Sequence, residues 1–394
     1  MIFKGGKMEL RSILFVGNYP NIIDKYRNVF FRNLIYSIAD RGYQCTVIMP
    51  LSMTHYKARA FSVPYEADDI TPKGNHVRVL YPRCITYSAK KIGQWSTGRL
   101  SEHSLQKAAV RAASRLDDRF DCVYGHFFLE GGLAAAAVGR KLNIPSFIAY
   151  GECSYETEVE FSYGEIKADE LEGLRGIITV STDNSNELKK RKVFDNIPKL
   201  LAPNGIDPEL FHTMDKTECR EKLKIPNDLF VTAFVGGFIE RKGTRRLLEA
   251  VNQTDGVYAA FAGKGEEKPE GDRVVFCDAM EHDSIPVLLN AADVFVLPTL
   301  AEGCCNAVIE AMACGLPVIS SDLPFNHDIL NETNSILIDP MSIDEIRDAI
   351  VQIKNDAELR RKLSYGALET AKRLTIEART ESILRFVEGN IAGK

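Results

Sequence analysis

The stretch Val294–Asp322, VFVLPTLAEGCCNAVIEAMACGLPVISSD, contains a complete strand, loop, helix and strand in series. VFVLPT and LPVISSD are short apolar runs without polar alternation, as expected of strands covered on both faces. Between them, NAVIEAMACG has apolar residues at helical spacing and ends in glycine, and LAEGCC is a loop punctuated by Gly303. Strands joined through a crossover helix lie parallel. The unit therefore belongs to a doubly wound α/β sheet.

The alternation extends outward from this unit. LFVTAFVGGFI, VYAAFAGKGE and DRVVFCDAM read as further strands, and KGTRRLLEAVNQT and SIPVLLNAAD as helices. DNIPKLLAPNGIDPELF carries Pro198, Pro203, Pro208 and the Asn204-Gly205 turn, which mark a linker. Before it the pattern begins again with RSILFVGN, a helix at Val29 to Ala39, GYQCTVIMP, DCVYGHF, GGLAAAAVGRKLN, IPSFIAYGE and LRGIITVS. Tyr65 to Arg99 does not follow the alternation and reads as irregular or inserted. From Ile343 onward the pattern is almost all helical. The expectation is two Rossmann-like doubly wound domains facing a cleft, at residues 1–195 and 205–375. Residues 376–394 would be a C-terminal helix crossing back to the first domain.

A length of 394 residues accommodates two such cores and rules out a single small module. With 45% hydrophobic and 26% charged residues the chain is an ordinary globular protein, not a disordered or fibrous one. No apolar run is long enough to span a bilayer. The N-terminal MIFKGGKMELRSILFVGN reads as a short tail feeding the first strand rather than a signal peptide. Nine cysteines without a C-x-x-C pair read as reduced thiols, and the location expected is cytoplasmic. The formal charge of -5 is unevenly divided: residues 1–195 carry 27 Lys+Arg against 22 Asp+Glu, and the remainder 22 against 32. The basic first half suggests an anionic partner, such as the inner membrane face or a phosphorylated lipid acceptor.

The chemistry concentrates in the loop and helix of the opening stretch. Glu302 follows a buried strand, Gly303 permits close backbone approach, and a helix starts near Cys304, Cys305 and Asn306. The free N–H groups and dipole of that helix form an anion site. Glu310 lies deeper in the helix, where its carboxylate can accept hydrogen bonds from a diol such as ribose. In VGGFIERKG, the strand ends at Gly236-Gly237, and Arg241, Lys242 and Gly243 sit at the next helix start, where cations offset phosphate charge. Asn18 closes the first strand and is a further donor or acceptor contact, and His126 in YGHFFLEGG is a residue of the acceptor side. Glu152, Glu156, Glu158 and Glu160 read as a solvated cluster. No Asp-x-Asp metal pair occurs, and no metal or cofactor is expected.

EGCCNAVIEAMACGLPVISSD, VGGFIERKG, APNGID and AADVFVLPT resemble the C-terminal domain of retaining, nucleotide-sugar-dependent glycosyltransferases of the group-one type (family four), which have the GT-B fold. The resemblance spans the whole chain and is most specific from Val231 to Leu330. It implies a metal-independent hexosyltransferase moving a sugar from a UDP- or GDP-sugar donor to a glycan or lipid-linked acceptor in cell-surface polysaccharide or glycolipid synthesis. It implies catalytic roles for Glu302 beside the sugar and phosphates and for Lys242 on the diphosphate, a ribose contact for Glu310, and no nucleic-acid partner. Two positions depart from the pattern. Gly237 stands where the family usually has arginine, with Arg241 the nearest replacement, and Tyr150 stands where a histidine often follows the central strand of the first domain. A non-catalytic nucleotide-sugar-binding protein with a decayed site is the alternative.

Overall fold

A computed structural model describes residues 10–25, 28–92 and 95–391, together with the short N-terminal strands Phe3–Lys4 and Lys7–Met8. The remainder of the N-terminal tail lies outside the described residues. The chain divides into two compact units, Met1–Pro203 with Arg379–Lys394, and Asn204–Ala378.

The first unit is built on β1 (Ser12–Val16), α1 (Val29–Ala39), β2 (Gln44–Ile48), β3 (Glu66–Ile70), β4 (His76–Leu80), α2 (Thr97–Ala113), β5 (Cys122–His126), α3 (Leu133–Leu142), β6 (Ser146–Tyr150), β7 (Leu174–Thr179), α4 (Thr182–Lys189) and β8 (Lys199–Leu201). Its sheet has the order β8-β7-β6-β5-β1-β2-β4-β3 and is parallel apart from the β3/β4 pair. The central strands β1, β5 and β6 are buried along their whole length, the consequence of apolar residues facing helices on both sides. The Tyr65–Arg99 region, expected to be irregular, supplies the antiparallel hairpin β3/β4 and the start of α2. In β3, EADDI alternates exposed and half-buried positions because an edge strand has one solvated face. The expected linker likewise contributes the edge strand β8.

The second unit comprises α5 (Lys216–Leu223), β9 (Phe230–Val235), α6 (Thr244–Asn252), β10 (Val257–Ala262), β11 (Val274–Asp278), α7 (Ile285–Ala291), β12 (Val294–Leu297), α8 (Asn306–Ala313), β13 (Val318–Ser321), β14 (Ser335–Ile338), α9 (Ile343–Asn355) and α10 (Ala357–Ala371). Its six strands are parallel, in the order β11-β10-β9-β12-β13-β14. In α6 the buried positions Thr244, Leu247, Ala250 and Val251 recur at helical spacing, so one stripe meets the sheet. Gly263 is obligatory: a Cβ there would lie 1.9 Å from the Gly236 carbonyl oxygen, which lets the β10 loop pack against the end of β9.

The last helix, α11 (Ile376–Ile391), begins in the second unit, and its residues from Arg379 onward belong to the first. Within the first unit, Arg379 Nη1 donates to the carbonyls of Ala202 and Pro203 (2.6 Å to the latter). The Phe386 ring packs edge-on against Phe147 on β6 at 6.2 Å between centroids. Gly176 on β7 makes room for that ring, since a Cβ there would come within 2.5 Å of it.

Candidate active site

In each sheet the strand order reverses beside the first strand of the unit, between β1 and β5 and between β9 and β12. At such a switch point the loops leaving the carboxyl ends diverge and open a crevice, the usual ligand position in an open α/β sheet.

In the second unit the two diverging loops are joined: the Leu300 N–H donates to the Arg241 carbonyl at 2.9 Å, and Arg246 Nη2 to the Pro298 carbonyl at 2.9 Å. Glu302 is buried between them. One of its carboxylate oxygens, Oε1, receives Lys242 Nζ at 2.5 Å, Arg241 Nη1 at 3.1 Å and the Thr299 hydroxyl at 2.8 Å. Arg241 also donates to the Ala301 carbonyl, so its guanidinium is turned toward the site. Two cations facing one carboxylate leave the cluster net positive, and burial strengthens every Coulomb interaction within it. Burial opposes the charge on Lys242, yet its pKa is raised by Cys305 and by the charge and hydrogen bond of Glu302. Because burial pushes the Cys305 thiol itself up to about 12, it is uncharged near neutrality and Glu302 is the effective partner.

The following helix, α8, starts with Cys305 as an N-cap that provides no side-chain hydrogen bond, which leaves first-turn N–H groups free for a ligand. Gly303 is buried and Cys304 half-buried at its mouth. Asn306 is held by the Asn204 amide, which donates to its Oδ1 at 2.8 Å. Glu310 is buried, and its Oε1 lies 3.1 Å from His282 Nε2. His282 leads into α7 and rests edge-on against Phe211 at 5.2 Å between centroids. Nothing in the sequence marks this lone histidine; only the sheet order, which sets the β11 loop near α8, brings it to Glu310. Gly237 makes no side-chain contact, and the nearest atoms a Cβ there would meet are 3.9 Å away.

The first unit holds a cavity of about 610 Å³ at its own switch point. Asn18 lines it, its amide donating to Glu130 Oε2. Two expected residues of this unit are placed elsewhere. The Tyr150 hydroxyl turns away from the cavity and donates to Glu187 Oε2 at 2.5 Å, with its ring packed against Phe128 and Tyr155. His126 is sealed among Phe30, Phe31 and Phe127, stacked on Phe31 at 4.4 Å, with both ring nitrogens buried and without hydrogen-bond partners. Burial, aided by the Arg379 charge, lowers its pKa to about 3, so it is neutral at physiological pH. Neither residue lines the cavity.

Four carboxylates line it that were not anticipated there: Glu102, Glu130, Glu152 and, at its exposed rim, Glu158. Glu152, expected to be solvated with its neighbours, is buried: its Oε1 accepts the Phe128 N–H at 2.5 Å and its Oε2 the Gly151 N–H at 3.1 Å. Burial raises its pKa to about 8 against these hydrogen bonds. Glu156, Glu158 and Glu160 are exposed, as expected. Glu102, from α2, is 3% exposed, accepts the Glu130 N–H at 3.0 Å, and has its pKa raised by burial to about 7. Glu130 itself adopts a left-handed backbone, φ 65°, as does Phe127 at 62°, in the turn that carries these groups. The one sequence signal for Glu102 is an acid on the apolar stripe of α2, in register with Leu105, Ala109 and Ala112.

Residues 215–370 match the family described as "Glycosyl transferases group 1". Over 362 residues, 90% of this chain and 92% of the relative, the sequence is 26% identical to TuaC of Bacillus subtilis (strain 168), a glycosyltransferase whose name assigns it to teichuronic acid biosynthesis. Among solved structures, sucrose-phosphate synthase from Thermosynechococcus elongatus superposes with a TM-score of 0.74 at 20% identity, covering 96% of this chain and 98% of that one. Anabaena HepE in complex with UDP-glucose superposes at 0.69 and 16% identity, covering 97% and all of that chain (100%). The fold is GT-B. The second unit carries, over residues 215–370, a group 1 glycosyltransferase domain.

Proposed function

We propose that this protein is a retaining, metal-independent hexosyltransferase that takes a sugar from a UDP- or GDP-sugar and delivers it to a glycan or lipid-linked acceptor in cell-surface polysaccharide synthesis. The observation that carries this reading is Glu302, pinned by Lys242, Arg241 and Thr299 beside the open first turn of α8. The bond between the anomeric carbon and the diphosphate oxygen breaks, and its electron pair leaves with the nucleoside diphosphate. The acceptor hydroxyl oxygen bonds to that carbon, and its proton passes to the departing diphosphate oxygen. The developing diphosphate charge is met by the two cations and the helix N–H groups, a pre-organised arrangement of the kind that lowers barriers most. Glu310, deeper in α8, accepts the ribose hydroxyls, and His282 orients its carboxylate. The names of TuaC and of the HepE complex support a cell-surface product and a UDP-sugar donor.

A decayed, non-catalytic site is disfavoured because the charged cluster is complete. The test is release of nucleoside diphosphate from a panel of UDP- and GDP-sugars with and without acceptors, in the presence of EDTA, followed by NMR of the anomeric configuration in the product. Acceptor-dependent release with retained configuration and undiminished by EDTA is expected. Binding without turnover on any donor and acceptor pair would favour the decayed-site reading.

A further inference from the structure

The cavity of the first unit differs from the phosphate-directed cluster in a way that bears on the acceptor, an inference that rests on the transferase reading. Glu102, Glu130, Glu152 and the exposed Glu158 line it, His55 is its one basic side chain among the described lining residues, and no lysine or arginine is among them. The cations that make the first half of the sequence basic are elsewhere: Lys107 and Arg111 are exposed on α2, away from the buried stripe that carries Glu102, and Arg115 is exposed just after it.

We propose that this cavity receives an uncharged sugar ring of the acceptor through its hydroxyls, and that Glu102 is the specificity-determining residue that excludes anionic rings. Glu152 has both carboxylate oxygens engaged by backbone N–H groups, and Glu130 is held by Asn18. Among these carboxylates Glu102 alone has a buried oxygen, Oε1, with no hydrogen-bond partner, although its carboxyl also meets the Glu130 N–H and the Gln106 side chain. A buried acceptor left unpaired is costly, and a ligand hydroxyl entering the cavity satisfies it. Hydroxyls suit the site because each can both donate and accept, while Tyr56 and Phe127 offer apolar faces to the ring carbons. A phosphate or uronate would instead meet carboxylates in a low-dielectric wall with no lysine or arginine among its described residues to offset the repulsion, and only the exposed His55 nearby. The raised pKa values of Glu102 and Glu152 add that each holds a proton part of the time near neutrality and can then also donate.

The experiment titrates the full chain, without donor, by saturation-transfer NMR. The probes are methyl glucoside and methyl N-acetylglucosaminide against methyl glucuronide and glucose 6-phosphate, applied to wild type, Glu102→Gln and Glu130→Gln. Saturable binding of the neutral probes is expected, with the anionic probes at least ten-fold weaker. Glu102→Gln should weaken the neutral probes at least five-fold and narrow the gap to the anionic ones. Anionic probes that bind as well as neutral ones, neutral probes that fail to bind, or a Glu102→Gln protein with wild-type neutral affinity would each overturn the assignment. If Glu102→Gln melts early, the exposed Glu130→Gln decides: a narrowed gap supports the proposal and an unchanged gap overturns it. Because binding is read in the absence of donor, a chain that discriminates in this way yet never turns over refutes the transferase reading, and with it the acceptor role, while the selectivity of the cavity for neutral rings stands.

Discussion

The two units place a site at the same topological point of similar parallel sheets and fill it with opposite electrostatics. Beside β9 and β12, a single buried carboxylate is surrounded by Lys242, Arg241 and the N-terminus of α8. Beside β1 and β5, four carboxylates share a cavity with no lysine or arginine among its described lining residues. The fold thus fixes where a ligand sits, and the loop side chains fix its charge. One site is net cationic and the other, among its described residues, net acidic.

The largest effect that tests this contrast is expected for Lys242→Ala. It leaves Glu302 buried with only the partly exposed Arg241 as a cationic partner, so chemical denaturation should show a loss of about 3 kcal/mol or more. Nucleotide release should fall at least as far as in Arg241→Ala, for which a loss of about ten-fold in donor affinity is expected, equivalent to about 1.4 kcal/mol. If Arg241→Ala has wild-type donor affinity, the cation cluster reduces to Lys242 alone.

Glu310→Ala should come next, weakening nucleotide binding by about 1.5 to 3 kcal/mol through loss of a charge-assisted hydrogen bond. Calorimetry with free UDP and GDP measures this directly, and unchanged affinity for both removes Glu310 from the donor site. Glu302→Ala is expected to act chiefly on turnover instead.

The acidic cavity makes its own prediction for pH. Glu102 and Glu152 have folded-state pKa values of about 7 and about 8, above those of an exposed carboxyl, so the folded state holds more protons than the unfolded chain between about pH 4.5 and 8. The stability they contribute is present in full below that window and is lost as the pH rises through it. The slope approaches at most about 1.4 kcal/mol per pH unit for each group. Urea titrations from pH 5 to 8.5 should show this decline, and Glu102→Gln should flatten its lower part. An identical slope in that variant would mean that Glu102 is ionised throughout.

The smallest effect is expected at Gly237. Its backbone is not left-handed and a Cβ there makes only ordinary van der Waals contacts, the nearest at 3.9 Å, so Gly237→Arg should change stability by no more than about 0.5 kcal/mol. An added guanidinium near the cation cluster should raise donor affinity several-fold in calorimetry. An unchanged affinity would show that position 237 points away from the phosphates.

Most of the second unit was legible because its strands are short apolar runs and its loops carry glycine and charge in a distinctive order. VFVLPT, the helix from Asn306 and LPVISSD occur where the spacing places them. The region from Tyr65 to Arg99 was not legible, because EADDI is an edge strand with one solvated face and shows no continuous apolar run. The position of Tyr150 after the central strand suggested a ligand contact, but Glu187 on α4 draws its hydroxyl into the core. Glu152 gave the opposite error. Its alternation with Glu156, Glu158 and Glu160 resembled a solvated strand, while the N–H groups of Gly151 and Phe128 made it a buried acceptor.

The sequence by itself determined the two α/β units, the strand and loop bearing Glu302, the helix bearing Glu310 and the basic turn bearing Lys242. Those depend on local periodicity and on residues close in the chain. Only the tertiary structure decided that three polar groups converge on one oxygen of Glu302, that His282 meets Glu310, and that Glu102 and Glu152 are buried in a cavity with no lysine or arginine among its described lining residues. Each of these depends on strand order and on which loops diverge at a switch point. Burial then sets the protonation and pairing of each carboxyl, and it arises from contacts between segments far apart in sequence.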